Sequence, residues 1–367
     1  MPAEWEPHEA TWLAWPHNPE DWPGKFAPIP WLYAEIVRLL AARERVHLIV
    51  EDAAAEKRVR SMLKRAGADL GQVDFHQWPT DRGWMRDSGA IFVRNAEGRV
   101  APTNWQFNGW AKYDDWRLDD QIPGRITELL GLEEWQPTVQ NDVQNKDSKE
   151  RRRIVLEGGS IDVNGAGLML TTEECLLSEV QQRNPGVSRE QLEQVFSAYL
   201  GVDQVLWMNR GIVGDDTHGH VDDITRFAGV DTIIAAVEPD TRDPNHEPLA
   251  ENLARLKAAR TPEGKQFTIV ELPIPRPVVF RGQRLPASYA NFYLANGVVL
   301  VPTFHDPNDR VALNILAEAF PDREVIGVHS VDLIWGLGAL HCMTQQQPKN
   351  REPGSEGARD QGSEGLA

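Results

Sequence analysis

The feature that most constrains this chain is a repeated unit in which a polar residue precedes a β-hairpin. Asp87, Glu157, Asp222 and Asn291 each stand just before an apolar run, a turn and a second apolar run. These residues are spaced about 65–70 positions apart, the kind of period that marks a repeat architecture. The turn of the Glu157 unit, Asn164-Gly165, is a strong hairpin signal, and an Asn-Gly pair recurs in the Asn291 unit.

Helical and strand patterns alternate around these hairpins. Apolar periodicity predicts helices at 30–43 and 56–66 and strands at 46–50 and 73–78. Further helical segments separate the hairpins, so each unit reads as two strands, a helix and a strand. Cys342 opens a last, incomplete unit, and residues 10–15 can supply the strand that completes it. The expected fold class is α/β, with repeats of ββαβ type.

Repetition has a consequence for where the polar residues meet. If each unit packs radially against the next, the hairpin starts converge near the centre and their side chains line one pocket. The alternative is that hairpin starts carry polar residues in any protein. Turn residues do not usually include a cysteine, a histidine and three carboxylates, which favours the shared pocket. Its expected members are Asp87, Glu157, His220 with Asp222, Asn291 and Cys342.

The formal net charge of −17 at pH 7 argues against nucleic acid and anionic membranes as partners, because both are bound by basic patches. It is compatible with a small cationic substrate. No apolar run reaches the roughly 20 residues of a membrane-spanning helix, and the acidic start of the chain is unlike a signal peptide. Two cysteines cannot build a disulfide framework. We therefore expect a cytoplasmic protein.

We expect a single catalytic domain over residues 1–348. Residues 349–367 have almost no apolar side chains, which is typical of a disordered polar tail. The charged segment 141–153 is expected to be a surface loop. The sequence does not fix the oligomeric state and is compatible with a homo-oligomer.

The candidate pocket residues suit a flat cation such as a guanidinium. Two of the carboxylates of Asp87, Glu157 and Asp222 can accept its N–H groups in bidentate pairs, and Trp84 can stack on its face. The Cys342 thiolate can attack the central carbon, while His220 protonates the departing nitrogen and later deprotonates a water. A carboxylate beside that histidine would hold its tautomer. This chemistry needs no metal ion or organic cofactor.

Other interpretations remain open at this point. A free cysteine such as Cys342 is often a small buried hydrophobe. His218, His220 and Asp222 have the spacing of a binuclear metallohydrolase site, although further ligands would be needed. A binding module without catalysis is a third possibility. Cys175, which precedes two leucines and follows a strand, is interpreted as structural.

The chain resembles the agmatine deiminase and Porphyromonas-type peptidyl-arginine deiminase family, of the guanidino-group-modifying (pentein) superfamily. Six segments in the family's order carry the resemblance, and they span residues 1 to 348. They are residues 1–8 (MPAEWEPH), 84–89 (WMRDSG), 156–160 (LEGGS), 219–222 (GHVD), 289–292 (YANF) and 341–348 (HCMTQQQP).

This resemblance implies a five-bladed α/β-propeller and hydrolysis of a guanidine to a ureido group plus ammonia, through a covalent thiouronium intermediate. By matching motif, Cys342 is the nucleophile and His220 the general acid/base. Asp87 and Asp222 grip the guanidinium, and Glu157 supports His220 and the substrate.

The leading substrate is agmatine, giving N-carbamoylputrescine for putrescine and polyamine biosynthesis; peptidyl-arginine or another guanidino compound is the alternative. Trp84 falls where the family places a ring beside the substrate, and Asn291 either contacts substrate or caps its hairpin. Leu337 and Ala339 depart from the family's Gly-Gly-Gly-Asn-Ile-His-Cys segment, where a glycine and the asparagine stand. A side chain in a glycine-dependent bend could shift the loop, and the lost asparagine could remove a hydrogen bond.

Overall fold

The structure is a computed structural model that describes residues 1–140 and 151–351. Residues 141–150 of the expected surface loop and 352–367 of the expected tail lie outside the described residues. Lys349 donates its backbone N–H to the Pro7 carbonyl at 2.8 Å, and Arg351 donates to Gly98 at 2.9 Å. The first three residues assigned to the disordered tail are therefore held against the domain by backbone hydrogen bonds.

The described residues contain strands, α-helices and short 3-10 turns. The strands are β1 (His8–Ala14), β2 (Arg45–Val50), β3 (Val73–Gln77), β4 (Ile91–Arg94), β5 (Val100–Thr103), β6 (Thr138–Gln140), β7 (Arg151–Arg153), β8 (Asp162–Val163), β9 (Leu168–Thr172), β10 (Gln204–Met208), β11 (Thr225–Phe227), β12 (Thr232–Val237), β13 (Thr268–Pro273), β14 (Val279–Phe280), β15 (Gln283–Arg284), β16 (Tyr293–Ala295), β17 (Val298–Thr303), β18 (Glu324–His329) and β19 (Gln345–Pro348). The helices are α1 (Ile29–Ala41), α2 (Ala53–Ala66), α3 (Met85–Ser88), α4 (Ile122–Leu130), α5 (Glu173–Leu177), α6 (Arg189–Leu200), α7 (His246–Ala258), α8 (Asn308–Ala319) and α9 (Leu340–Met343). The 3-10 turns are Leu70–Gln72, Gly109–Ala111, Asp119–Gln121, Gly158–Ser160, Val221–Asp223 and Leu333–Gly336.

One connection pattern recurs along the chain. In the unit from β11 to β13, β11 and β12 form an antiparallel hairpin, α7 follows, and β13 returns parallel to β12. The same order runs through β16, β17, α8 and β18, and through β8, β9, α6 and β10. The ββαβ repeat predicted from the sequence is present in these units.

The chain's first strand completes a further unit. β1 pairs antiparallel with β19 and parallel with β2, with α1 between the parallel strands, and β3 extends the sheet. The strand expected at residues 10–15 thus pairs with β19, the strand that follows Cys342. The hairpin of β4 and β5 is followed by α4 and a parallel bridge between Thr103 and Trp135.

Burial patterns explain the local choices. The helix α1 places Ile29, Tyr33, Ile36, Val37 and Leu40 on its buried face, as expected for an amphipathic surface helix. The strand β17 is apolar without alternation, because the sheet is covered on both faces and its first four residues are fully buried. The helix predicted at 56–66 begins three residues earlier, where the Asp52 side chain caps the first turn.

None of the helices in the described ranges is both long and apolar enough to span a bilayer.

Candidate active site

The polar residues that precede the hairpins lie on single helical turns and not on the strands themselves. Asp87 belongs to α3, Cys342 to α9 and Asp222 to a 3-10 turn, while Glu157 and His220 stand at the N-terminal ends of 3-10 turns. The sequence pattern suggested that these residues begin the strands directly. In the structure, each of them lies one turn before its strand. Each turn leads into a buried hairpin, which anchors the side chain that it presents.

Five of the predicted side chains form one buried cluster. His220 lies between two carboxylates, with Nδ1 3.8 Å from Asp87 Oδ1 and Nε2 3.7 Å from Glu157 Oε2. The Cys342 sulfur lies 3.6 Å from Asp222 Oδ2. Cys342 is 6 % exposed and Asp222 is fully buried. Groups that are up to 255 positions apart in the sequence therefore meet in one place.

Gly159 makes this approach possible. A Cβ atom at Gly159 would lie 2.6 Å from His220 Nδ1, 2.8 Å from Asp87 Oδ1 and 3.1 Å from Asp222 Oδ2. Carbon atoms in ordinary contact stay about 3.5–4.0 Å apart. The glycine leaves room for these three groups to approach one point, and its N–H donates to Asp87 Oδ1 at 3.0 Å.

Asp87 is held by two donors and surrounded by charge. Trp110 Nε1 donates to Oδ2 at 2.9 Å, and the Gly159 N–H binds Oδ1. Burial raises the pKa of Asp87 to about 6; His220 opposes this effect and the Asp222 carboxylate adds to it. The ionised form of Asp87 is therefore unfavourable unless a cation binds beside it.

Glu157 is fixed as an anion by a buried ion pair. Arg183 Nε donates to its Oε1 at 3.0 Å, and both side chains are fully buried. Burial raises the pKa of Glu157, but Arg183 and His220 outweigh burial and lower it to about 2. The other oxygen, Oε2, has no hydrogen-bond partner among the described residues. That oxygen is the one that faces His220.

His220 combines a fixed backbone with ring nitrogens that are left open. Its N–H donates to Asp215 Oδ2 at 3.1 Å, whereas neither ring nitrogen has a hydrogen-bond partner within the described ranges. Burial lowers the pKa of the imidazole, but Asp87, Cys175 and Glu157 outweigh burial and raise it well above its usual range. A protonated imidazole at this place is a proton donor to a departing group.

Asn291 contacts the candidate nucleophile. Its Nδ2 lies 3.0 Å from the Cys342 sulfur and 3.0 Å from Asp223 Oδ1, and its Oδ1 accepts the His341 N–H at 3.0 Å. Asn291 therefore holds the turn that carries Cys342. Burial, followed by the carboxylates of Asp222 and Asp223, raises the pKa of the Cys342 thiol well above its usual range.

Trp84 lies beside the candidate nucleophile at the wall of a cavity. A Cβ added to Gly338 would lie 2.7 Å from the Trp84 ring and 3.1 Å from Cys342 Cβ, so the two side chains flank this glycine. The indole also packs on Trp22, with ring centroids 5.4 Å apart. Its position is compatible with a ring beside a bound cation.

The cavity has a volume of about 560 Å³ and ends at Asp87 and Cys342. Its outer wall is rich in acidic side chains. Those that line it are Glu20, Asp21, Asp114, Asp115 and Asp216. Arg82 also lines it, but its guanidinium is engaged by Asp21 and by both oxygens of Asp115 at 3.0 Å. The cavity therefore favours a ligand that is positive at both ends.

Several residues of the site were missed in the sequence. Glu4, Arg86 and His341 lie within the matched motifs, but the sequence does not show that their side chains point toward the centre of the fold. Trp110 and Arg183 stand between motifs, and nothing in their spacing marks them. A signal was available for Arg86, which directly precedes Asp87, and for His341, which directly precedes Cys342.

Cys175 lies closer to the cluster than its structural interpretation suggested. It is buried in α5, its N–H bound to the Thr172 hydroxyl at 3.0 Å, as expected for a buried helix start. Its sulfur also lies within 4.8 Å of ligand atoms of Glu157 and His220. Within the described ranges, the ligand atoms of His218, His220 and Asp222, the alternative metal site, do not lie this close together.

The two departures in the Cys342 loop are accommodated differently. Leu337 keeps a left-handed backbone, with φ of 67°, so the bend persists despite the side chain. Such a conformation costs a residue with a Cβ roughly 1–2 kcal/mol. Leu337 lines the cavity, whereas Ala339 is buried directly before α9. The structure thus keeps the bend that the sequence placed in doubt.

Known proteins share this organisation. The Porphyromonas-type peptidyl-arginine deiminase family matches residues 1–348. The agmatine deiminase of Stutzerimonas stutzeri (strain A1501) is 35 % identical, covering 95 % of each chain, and that of Pseudomonas syringae pv. tomato is 33 % identical over the same shares. The solved agmatine deiminase of Enterococcus faecalis has 30 % identity and a TM-score of 0.84, covering 95 % of each chain. The chain belongs to the Porphyromonas-type peptidyl-arginine deiminase family.

Proposed function

We propose that this chain is a guanidine deiminase that hydrolyses agmatine to N-carbamoylputrescine and ammonia. The observation that carries the proposal is the convergence of the His220 ring and the carboxylates of Asp87 and Asp222 on one point beside Gly159, with the Cys342 sulfur 3.6 Å from Asp222. The relatives named as agmatine deiminases support the same chemistry.

The guanidinium binds between Asp87 and Asp222, which accept its N–H groups as charge-assisted hydrogen bonds. Asp222 Oδ1 has no hydrogen-bond partner in the part of the chain that is described, so it is available for this role. A bound cation also lowers the pKa of a neighbouring thiol. Because the pKa of the Cys342 thiol is raised in the free protein, substrate binding helps to form the thiolate.

In the first step the Cys342 sulfur forms a bond to the guanidinium carbon. The protonated His220 gives its proton to an amino group, the carbon–nitrogen bond breaks, and ammonia leaves. The product is a positively charged thiouronium on Cys342. Glu157 and Asp87 stabilise the imidazolium form of His220 that this step requires.

In the second step His220 takes a proton from a water, whose oxygen bonds to the thiouronium carbon. The carbon–sulfur bond then breaks and returns the electron pair to Cys342, and the remaining hydroxyl proton passes to the released ammonia, leaving a neutral ureido group and ammonium. The net reaction converts a guanidinium and water to a urea and ammonium, and it needs no redox partner or cofactor.

The acidic cavity wall supports agmatine as the substrate. The far end of agmatine is an amine, which the carboxylate of Asp114 suits, whereas Asp216 is already bound by Lys112 and Tyr113. A free arginine would bring a carboxylate, and the one arginine lining this cavity is already engaged by Asp21 and Asp115. Desolvating an unpaired carboxylate among these acids is costly.

A further proposal concerns the architecture of the protein. The repeated ββαβ order and the pairing of β1 with β19 support closure into a five-bladed α/β-propeller of residues 1–348. A cytoplasmic location and a homo-oligomeric state stay predictions from the sequence.

Ammonia release from agmatine, free arginine and an arginine-containing peptide, measured side by side, tests the proposal. We expect turnover with agmatine, and little with the other two. Cys342→Ala should abolish it, while Cys175→Ala, which keeps the nucleophile, should retain measurable turnover. Turnover that persists in Cys342→Ala contradicts the assignment of the nucleophile. Faster release from the peptide than from agmatine would make the protein a peptidyl-arginine deiminase instead.

A further inference from the structure

A buried histidine links the substrate-gripping carboxylate to the first residues of the chain. His341 Nδ1 lies 2.7 Å from Asp222 Oδ2, and His341 Nε2 lies 2.8 Å from Glu4 Oε2. All three side chains are at most 7 % exposed. We propose that Glu4 and His341 are positioning residues that orient Asp222 and keep it ionised for the guanidinium. This inference rests on the proposed function.

Glu4 is itself held from several directions. Arg226 Nη2 lies 3.0 Å from Oε1, and Arg86 Nη2 lies 3.2 Å from Oε2. The backbone N–H of Leu294 donates to Oε1 at 2.8 Å. Burial raises the pKa of Glu4, but Arg226, His341 and Arg86 outweigh burial and lower it well below its usual range. Glu4 is therefore a fixed anion against which His341 is oriented.

The two carboxylate oxygens of Asp222 have different surroundings. Oδ2 is held by His341, while Oδ1 lacks a hydrogen-bond partner among the residues that the structure describes. The two ring nitrogens of His341 face one carboxylate each, so the ring spans the distance from Glu4 to Asp222. The side-chain rotation of Asp222 is thereby fixed, and one oxygen is left to accept a substrate N–H.

Asp223 provides a comparison within the same turn. Asp222 and Asp223 are both buried, but Asp223 has an amide as its hydrogen-bond partner, Asn291 Nδ2 at 3.0 Å, where Asp222 has a histidine. Burial raises the pKa of both; for Asp223 the Asp222 carboxylate adds to the rise, whereas for Asp222 the His341 contact reverses it. The histidine is the contact that separates the two neighbours.

The charged and titratable groups that face Asp222 come from each neighbouring turn. They are His341 and Cys342 on α9, His220 and Asp223 on its own turn, Asp87 on α3 and Arg226 on β11. Without His341, His220 and Arg226 would still favour the charge of Asp222, but burial and the neighbouring Asp87, Asp223 and Cys342 would oppose it. Ionising Asp222 would then require a higher pH.

The test measures kcat/KM for agmatine against pH in His341→Gln, Glu4→Gln and the unaltered protein. The limb on the acidic side of this profile reports groups of the free enzyme that must lose a proton. We expect His341→Gln to move this limb to higher pH by about one unit or more and to lower kcat/KM at pH 7 at least tenfold. Activity should recover partly as the pH rises. Glu4→Gln should move the limb in the same direction by less.

His8→Gln is a matched control. His8 is also a buried histidine, with Nδ1 3.2 Å from Glu44 Oε1 and Nε2 2.7 Å from the Glu4 carbonyl, but it does not contact Asp222. It should lower thermal stability and leave the acidic limb in place. If His341→Gln does not fold, Glu4→Gln carries the same test.

Two results overturn the inference in distinguishable ways. If agmatine is turned over but both variants keep the unaltered acidic limb, the positioning role is wrong and the proposed function stands. If the unaltered protein turns over no guanidine at all, the proposed function fails and this inference fails with it.

Discussion

Replacing Gly159 with alanine would place a methyl group at the point where the catalytic groups converge. The new Cβ would lie 2.6 Å from His220 Nδ1, 2.8 Å from Asp87 Oδ1 and 3.1 Å from Asp222 Oδ2. Ordinary contact distances are about 3.5 Å, so the imidazole must move by about 1 Å. These three neighbours are ends of side chains, which can shift, but every shift moves a group that the reaction needs.

Two magnitudes follow from this displacement. A misplacement of about 1 Å in an active site costs roughly 100-fold in rate, or about 2.7 kcal/mol of transition-state stabilisation. Overpacking a filled site costs about 1–3 kcal/mol of folding free energy. We therefore expect kcat/KM for agmatine to fall about 100-fold or more, together with a moderate loss of stability. Steady-state ammonia release and thermal denaturation measure the two effects.

Gly229→Ala is the matched control. Its Cβ would meet Thr232 Cβ at 3.6 Å, which is an ordinary contact, and it lies in a hairpin turn away from the cluster. It should leave kcat/KM within a few-fold of the unaltered protein. If Gly159→Ala also keeps nearly full activity, the three groups do not act at this point and the geometric argument is refuted.

Three further predictions concern the residues that support the cluster. Trp110→Phe removes the indole N–H from Asp87 Oδ2, which should raise the pKa of Asp87 above about 6. Because protonated Asp87 cannot bind a cation tightly, the acidic limb of the kcat/KM profile should move to higher pH. An acidic limb that does not move would refute this prediction. Arg183→Met leaves Glu157 as an unpaired buried anion, which should lower the folding free energy by about 3–5 kcal/mol. Chemical denaturation measures this loss, and a loss below about 1 kcal/mol would contradict the buried ion pair. Asn291→Ala removes an N–H that stabilises the Cys342 thiolate. Alkylation of Cys342 by iodoacetamide should therefore be slower at neutral pH, and its rate should recover at higher pH. An unchanged pH profile of alkylation would contradict the contact.

The repeat explains why much of the site could be predicted. A polar residue before each hairpin is visible in the sequence, and units of equal topology bring equivalent positions together. Asp87, Glu157, His220, Asp222 and Cys342 therefore come out of the pattern, and the structure places them in one cluster. Their chemical roles stay predictions until the variants are measured.

The supporting residues are set by contacts that no local pattern encodes. Trp110 reaches Asp87 from a 3-10 turn with a left-handed backbone, and Arg183 reaches Glu157 from a segment without regular structure. Glu4 belongs to the chain's first residues, and the strand that follows it, β1, pairs with β19, more than 330 residues away in the sequence. The sequence does not single out His341, whose partners in the structure are the carboxylates of Asp222 and Glu4, far from it in the chain.

The central claim is that Cys342 carries the guanidinium carbon during the reaction. Mass spectrometry of the protein, quenched in acid during turnover of agmatine, tests it directly. We expect an adduct on the peptide that contains Cys342, with a mass increase equal to agmatine less ammonia, and none in Cys342→Ala. Steady turnover of agmatine without any adduct on Cys342, or with an adduct on Cys175, would contradict the account.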